Sequence, residues 1–541
     1  VFNLSHDVKA SYNFDKIYPF LCQPIYPGDT FNCRAEVFLR AMPLKCPVMH
    51  NVDMHLWFVF VPMRLIWNEN KKRDWKVFIT GGEKGDANGD NTPLPYFDYK
   101  SLFDAMPSAT RHGSLLDHMG FPTIPDGENH TVHSSHLSQH VCSLPFRAYQ
   151  FVWNELFRNQ NVQNEIEFSY DMGEESAANL VKLFTFRKKC WEKDYFTSCL
   201  PFAQRGEAVK LPVSGDVSFN GANVPVSVDA AQFGSELVSY GLVGGTFSNS
   251  KNNIAAEVSS SKAGEAVRLT GSAVINSSAI SFTGLEIGTI NDFRYCLRLQ
   301  QWLENNARCG SRYIEQLLSH FGVVSSDARL QRPELLGGGK IPLIFTDIPQ
   351  TSFGEGSDSN VLGDLGGKGT MYGKTSGFKK YFEEHGILLG LCSIIPRTSY
   401  SQGLPRVWTA FDKTDWYFPE FAHLGEQAVL KKEVYYDPED VDLIGDEGPD
   451  GVFGYQGRFT ELRYVPSSVH GELRDTLQYW HLGRLFNETQ FLNADFVEAS
   501  TRANIFALSD VAESGYDPFV CQMHLDIKAV RPLPKYAVPT L

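Results

Sequence analysis

A mainly β chain with long insertions and a few helices is the fold this sequence predicts, and three observations carry that expectation. The first is a segment of period two. Phe31, Cys33, Ala35, Val37 and Leu39 fall on one face, while Asn32, Arg34 and Glu36 fall on the other, as in a half-buried strand. Phe38 interrupts the pattern. The second is an apolar run. Alternation from Asn51 to His55 gives way to Leu56-Trp57-Phe58-Val59-Phe60-Val61. A strand apolar on both faces is covered on both faces, either by its own chain or by a neighbouring subunit. The third is that strand-like segments recur along the whole chain, separated by very long connections and without an internal repeat.

Composition agrees with a packed chain. Aromatics make up 13% and charged residues 21% of 541 residues, which suits a β-rich globular protein and argues against disorder. The length exceeds one ordinary domain. No apolar run approaches the roughly 18 residues of a transmembrane helix, and the residues after Val1 do not resemble a signal peptide. The net charge of -14 excludes a general nucleic-acid wrapper, because neutralising phosphate needs Lys and Arg; a local basic patch is compatible with it. Ten cysteines are scattered, with no CxxC pair. They are expected to be small core residues in a reducing cytoplasm rather than a disulfide framework.

The connection from Val77 to Pro145 is rich in Gly, Pro, His and Asp, and a long loop is expected at 83–140. Phe146 to Asn159 (FRAYQFVWNELFRN) reads as a helix through Tyr149, Phe151, Val152, Leu156 and Phe157. Residues 214–290 differ from everything around them. They hold nine charged residues, no Cys and no Trp, but many Ser, Gly, Asn, Ala and Val. Val224–Asp229 and Ala273–Phe282 look like short exposed strands. A structureless loop of this length is improbable inside a compact domain, so an inserted β-rich subdomain is expected. The bland alternative is a variable insertion with no binding role. Asn291 to Phe321 then predicts two amphipathic helices, broken at Cys309-Gly310-Ser311.

Four segments suggest chemistry, and each has a plainer reading. Gly366 to Thr375 (GGKGTMYGKT) looks like a phosphate-binding loop but fails its spacing, because Lys368 stands where the first glycine is required; a flexible glycine-rich loop is expected instead. His130, His133, His136 and His140 resemble zinc ligands by number, yet ENHTVHSSHLSQH has no helical apolar stripe, so a solvated loop is expected. Asp437 to Asp442, continuing to Asp446, Glu447 and Asp450, offers oxygen ligands for calcium without EF-hand spacing; an exposed charged loop is the default. The tail Lys528 to Tyr536 is basic, aromatic and stiffened by proline. Lys528, Arg531, Lys535 and Tyr536 are therefore candidates to lie against single-stranded DNA, and a polyproline-type arm packed on a neighbouring subunit uses the same features. No GxSxG, HExxH or Ser/His/Asp arrangement stands out. Catalytic, cofactor-binding and metal residues are not expected.

The segments FNLSHDV (Phe2 to Val8), PGDTF (Pro27 to Phe31), PVMHNV (Pro47 to Val52), FVFVPMRLIW (Phe58 to Trp67) and FITGG (Phe78 to Gly82) stand in order at tight spacing. They resemble the amino-terminal region of the major capsid proteins of Microviridae, in particular the gokushovirus branch of these small single-stranded DNA phages. The likeness continues in YSQGLPRVW (Tyr400 to Trp408), DWYFPEFAHLGEQ (Asp415 to Gln427), the region from Val469 to Arg484 and RPLPKYAVP (Arg531 to Pro539). It covers nearly the whole chain except the insertion, the 83–140 loop and the acidic loop.

The resemblance implies an eight-stranded antiparallel viral jelly roll with long loop insertions. It implies core parts at 1–213 and 291–541, the latter with a C-terminal arm, and an insert at 214–290 that forms a threefold surface protrusion and host-attachment surface. Sixty copies would build a T=1 shell around circular single-stranded DNA. The expected partners are a small basic DNA-binding protein, a pilot protein, an internal scaffolding protein and a host receptor. The expected location is the virion, assembled in the host cytoplasm. Phe2 to Val8 would be an arm reaching a neighbouring subunit. The rival from another class is a secreted carbohydrate-binding or glycoside-cleaving β-sandwich, which the aromatic content suits but the unpaired cysteines do not.

Overall fold

The computed structural model describes residues 1–69, 73–80, 93–125, 140–207, 209, 213–219, 232–233, 236–237, 280–287, 290–310, 312–351, 363–436, 448–507 and 516–533. Ten strands form its main antiparallel sheet. They are β1 (Phe2–Asn3), β2 (His6–Tyr12), β3 (Tyr18–Ile25), β4 (Thr30–Ala41), β5 (Val52–Pro62), β6 (Glu334–Pro349), β7 (Leu365–Lys374), β8 (Phe378–Tyr381), β9 (Gly386–Pro396) and β10 (Phe519–Val530). The order is β1-β10-β4-β7-β6-β5-β9-β3, with β8 also on β4 and β2 also on β10. Eight strands on one path, curled over a common core, bear out the jelly roll.

The curl is made by β6. Its first half, Glu334 to Leu343, pairs with β5, and its second half, Ile344 to Pro349, pairs with β7. One strand thus belongs to both layers. Between the layers lie the period-two residues of β4, every one of them buried, together with Phe519, Cys521, Met523, Leu525 and Ile527 of β10 and Met54, Leu56, Phe58 and Phe60 of β5. Phe382 bridges the layers, 4.7 Å from the Phe60 ring and 6.1 Å from Phe31.

The doubly apolar run behaves as its sequence requires. Val59 and Val61, on the other face of β5, join Ile387, Leu389 and Leu391 of β9 in a second core. Its cover comes from helices α1 (Tyr99–Ala105), α2 (Leu144–Val152) and α3 (Ala177–Phe184), all within the connection that follows β5. The cover is therefore the protein's own chain. Helix α2 is continued by one π-helical turn at Trp153–Phe157, so the expected helix forms. Polar groups fix it in place. Tyr149 donates to the Ile17 carbonyl at 2.8 Å, and buried Arg147 pairs with buried Glu175 at 2.7 Å.

Two expectations fail. The glycine-rich stretch 366–375 is not a flexible loop; all but its last residue lies in strand β7, with β6 and β4 on either side. Its glycines admit close neighbours. A Cβ on Gly367 would stand 2.1 Å from the Cys46 carbonyl oxygen, and one on Gly373 would stand 2.7 Å from Ile341. Phe2 to Val8 is not a free arm either. Its residues pair along β10, Phe2 with Ala529 and Val8 with Met523, because a strand edge leaves backbone groups that the chain start satisfies.

The chain divides into two compact units, residues 1–205 with 306–541, and residues 206–305. In the second, Val213–Phe219 and Ile280–Ile287 form an antiparallel hairpin stem, Gln232–Phe233 pairs with Glu236–Leu237, and most of helix α4 (Ile290–Arg308) follows. The candidate strand at Val224–Asp229 lies outside the described residues. So does the candidate Ala273–Phe282 up to residue 280, where a strand begins. Helix α5 (Tyr313–Phe321) follows α4, and Gly310 between them has φ +95°, at the expected break. None of the ten cysteines forms a disulfide; burial pushes the Cys33 and Cys521 thiols up to about 12.

Candidate assembly surface

A third, smaller core joins Tyr195 and Phe196, from the connection between β5 and β6, to Tyr400, Val429, Val434, Phe453 and Phe496, from the connection between β9 and β10. Its polar groups are committed. Asp194 accepts from the Tyr400 hydroxyl at 2.6 Å and from the backbone of Phe196 and Thr197. The Arg484 guanidinium sits 4.1 Å from the Phe496 ring and 5.1 Å from Phe486. Glu433 accepts from the Tyr195 hydroxyl at 3.0 Å and from the Leu430 amide at 3.0 Å, and burial pushes its carboxyl above the usual range.

On this base rides the segment 405–424. It advances by three short 3-10 turns, Arg406–Thr409, Lys413–Asp415 and Pro419–His423. Pro405 and Pro419 preset the backbone where two of them begin. Arg406 anchors the segment, donating to the Ala428 carbonyl at 2.8 Å and pairing with Glu433; Arg458 donates to the Thr414 carbonyl. The segment is held, yet its large side chains face outward. Phe411 is 90% and Trp408 70% exposed, with Trp416, Tyr417 and Leu424 each more than half exposed. Val465 and Leu462 add to the exposed apolar residues of the same connection. The segment is thus ordered and still turns much of its aromatic surface to water.

The candidate DNA-facing residues fall into three situations. Lys528 is exposed on β10, opposite Asn32 of β4. Arg531 is taken up within the chain; its Nε lies 3.2 Å from Asp29, its Nη2 donates to the Pro24 carbonyl, and its guanidinium lies 5.1 Å from the Phe31 ring. Lys535 and Tyr536 lie outside the described residues. So do His130, His133 and His136; His140 lies 3.4 Å from Asp98. Of the acidic loop only Asp450 is described, paired with Lys432 at 2.7 Å. Among the described residues no group of three His, Cys, Asp or Glu is placed to hold a metal ion, and no helix is long and apolar enough to cross a membrane.

The aromatic segment escaped sequence reasoning as a site. Its signal was legible: Trp408, Phe411, Trp416, Tyr417 and Phe418 follow neither period two nor period 3.6, so they cannot all lie on the buried face of one element.

The profile of the capsid protein (F protein) family matches residues 1–541. This chain belongs to that family. Relatives of the capsid protein agree. It is 32% identical to capsid protein VP1 of Chlamydia phage 1, covering 100% of this chain and 95% of the relative. It is 31% identical to capsid protein VP1 of Bdellovibrio phage phiMH2K, covering 99% and 94%. It is 27% identical to capsid protein VP1 of Spiroplasma virus 4, covering 100% and 94%. The resemblance to microvirus capsid proteins holds over the full chain, and the protein is a structural component of the virion. The sugar-binding or sugar-cleaving reading gives way to it.

Proposed function

We propose that sixty copies of this chain close a T=1 shell around a circular single-stranded DNA genome, in a structural rather than a catalytic role. The observation that carries this reading is the anchored aromatic segment 405–424, since family membership makes further copies of the chain its natural cover. Buried at interfaces, such side chains contribute most of the binding energy. The insert 214–290 is the candidate protrusion and host-attachment surface. Its stem of paired strands at 213–219 and 280–287 lets it be exchanged without opening the sandwich. Lys528, with Lys535 and Tyr536 beyond it, is proposed to face DNA, while Arg531 fixes the point at which the tail leaves β10. The remaining partners are the small basic DNA-binding protein, the pilot protein, the internal scaffolding protein and a host receptor, with assembly in the host cytoplasm. Electron microscopy of the expressed chain, alone and with the scaffolding protein, tests the shell directly. Closed particles of uniform size are expected; monomers under every assembly condition would reject it.

A further inference from the structure

The two layers of the sandwich differ in what lies outside them. The outer face of β5 and β9 is sealed by the second core. Among the described residues the layer of β2, β10, β4, β8 and β7 has no such cover, and along β4 and β10 the outward residues alternate with buried ones, as in a one-sided antiparallel sheet. The charge on that face runs against the rest of the chain. Strand β4 contributes Arg34 and Arg40, β7 contributes Lys368 and Lys374, β8 contributes Lys379, and β2 and β10 contribute Lys9 and Lys528, all exposed. Against these seven cations the same faces carry three carboxylates, Asp7, Glu36 and Asp526, so the face is net positive by four on a chain of net charge -14. The acidity of this protein lies elsewhere.

The carboxylates have local partners. Glu36 pairs with Lys374 at 2.6 Å, Asp7 faces His524 at 2.6 Å, and Asp526 accepts from Ser5 at 3.3 Å. Lys9, Arg34, Lys368, Lys379 and Lys528 make no ion pair among the described residues. Aromatic rings lie within the same face. Phe38 and Tyr372 are exposed partners across β4 and β7, with the Arg40 guanidinium 5.2 Å from the Phe38 ring. Tyr381 is exposed beside Thr30 at the end of β8.

We propose that this open sheet face is a binding surface for single-stranded DNA, with the cations tracking phosphates and Phe38, Arg40 and Tyr372 stacking on bases. The proposal rests on the reading that the protein encloses such DNA, and goes beyond the chain-end residues to a whole face of the fold. Cations spaced over five strands, interleaved with exposed rings, are what sequence-tolerant single-strand binding requires. A neighbouring acidic surface of another copy would use the cations but not the rings.

The test uses the full chain and a fluorescent oligothymidylate single strand, titrated over a range of salt. In a variant carrying Arg34→Gln, Lys368→Gln, Lys379→Gln and Lys528→Gln, the slope of log affinity against log salt is expected to shrink by roughly 0.7 for each cation removed. Separately, Tyr372→Ala is expected to weaken binding by roughly five- to 150-fold with little change in that slope. A control with the same change at Lys45, Lys76, Lys100 and Lys182 is expected to bind as the parent does. Affinity and slope equal to the parent's in the fourfold variant would overturn the proposal. So would parental DNA binding combined with failure to close shells, which makes the face a contact between copies. Electron microscopy of each variant keeps the two readings apart. Closed shells with normal DNA content from the fourfold variant sink the DNA face and leave the shell intact; absence of shells from the parent chain sinks the shell itself.

Discussion

Asp15 is a buried carboxyl at a non-glycine position with φ +70°. The Thr501 hydroxyl donates to it at 2.6 Å, but burial outweighs that bond and pushes it up to about 6. Unfolded, it titrates near 3.8. Between those values the folded chain holds more protons than the unfolded one, so this group's contribution to stability falls as pH rises from about 4 to about 6. Asp15→Asn keeps a residue that tolerates positive φ and removes the titration. Urea unfolding midpoints across that window should decline less steeply with pH in the variant, and identical pH profiles would refute the assignment. Arg147 and Glu175 are a second buried pair. Ser143 also donates to Glu175 at 2.5 Å, and Arg147 donates to the Asp171 carbonyl at 2.8 Å. Glu175→Ala leaves a buried guanidinium without its counterion, and a loss of about 3–5 kcal/mol in denaturant unfolding is expected. Neither residue was legible as a pair, since they stand 28 positions apart and nothing local distinguishes them.

Strand elements were legible where their pattern was regular. β4 announced itself by alternation and β5 by its apolar run. The same two signals stand in β9 (GILLGLCSIIP), buried along its whole length, and in β10 (FVCQMHLDIKAV), which alternates along its whole length. β7 was hidden, because glycine weakens a strand's intrinsic preference, and the reason for its glycines is a neighbour distant in sequence. Two substitutions one residue apart separate these roles. At Gly366 the nearest atom to an added Cβ is 3.6 Å away, whereas at Gly367 the Cys46 carbonyl oxygen is 2.1 Å away. Gly366→Ala should change the unfolding free energy by less than about 1 kcal/mol, and Gly367→Ala should abolish soluble folded protein. Equal yields and melting temperatures for the two variants would contradict the close approach.

At the scale of the whole molecule, folding leaves two surfaces for partners, the aromatic segment 405–424 and the open sheet face. Because Trp408 and Phe411 lie outside every core of the chain, Trp408→Ala with Phe411→Ala should leave the monomer's melting temperature within about 1 °C and prevent shell closure in sedimentation and electron microscopy. Shells forming at the parental rate would remove the segment from the assembly interface. The insert belongs to the same scale. Replacing residues 220–279 by a short turn joins strands that are already paired, so shells should still form while adsorption to host cells is lost. Adsorption unchanged by the deletion would end the attachment role.

The sequence by itself determined the fold class, the two best strands, the helix covering the second core, the helix break at Gly310 and the family. Each is written in local periodicity or in short motifs, which survive without knowledge of distant neighbours. Tertiary structure decided the rest: that the chain's own helices cover β5, that a glycine-rich stretch is a core strand, that the chain start pairs with β10, and that cations from five strands share one open face. These depend on which segments meet across hundreds of residues. Sheet register, through side chains that alternate between two faces, turns that pairing into a core on one side and a charged surface on the other.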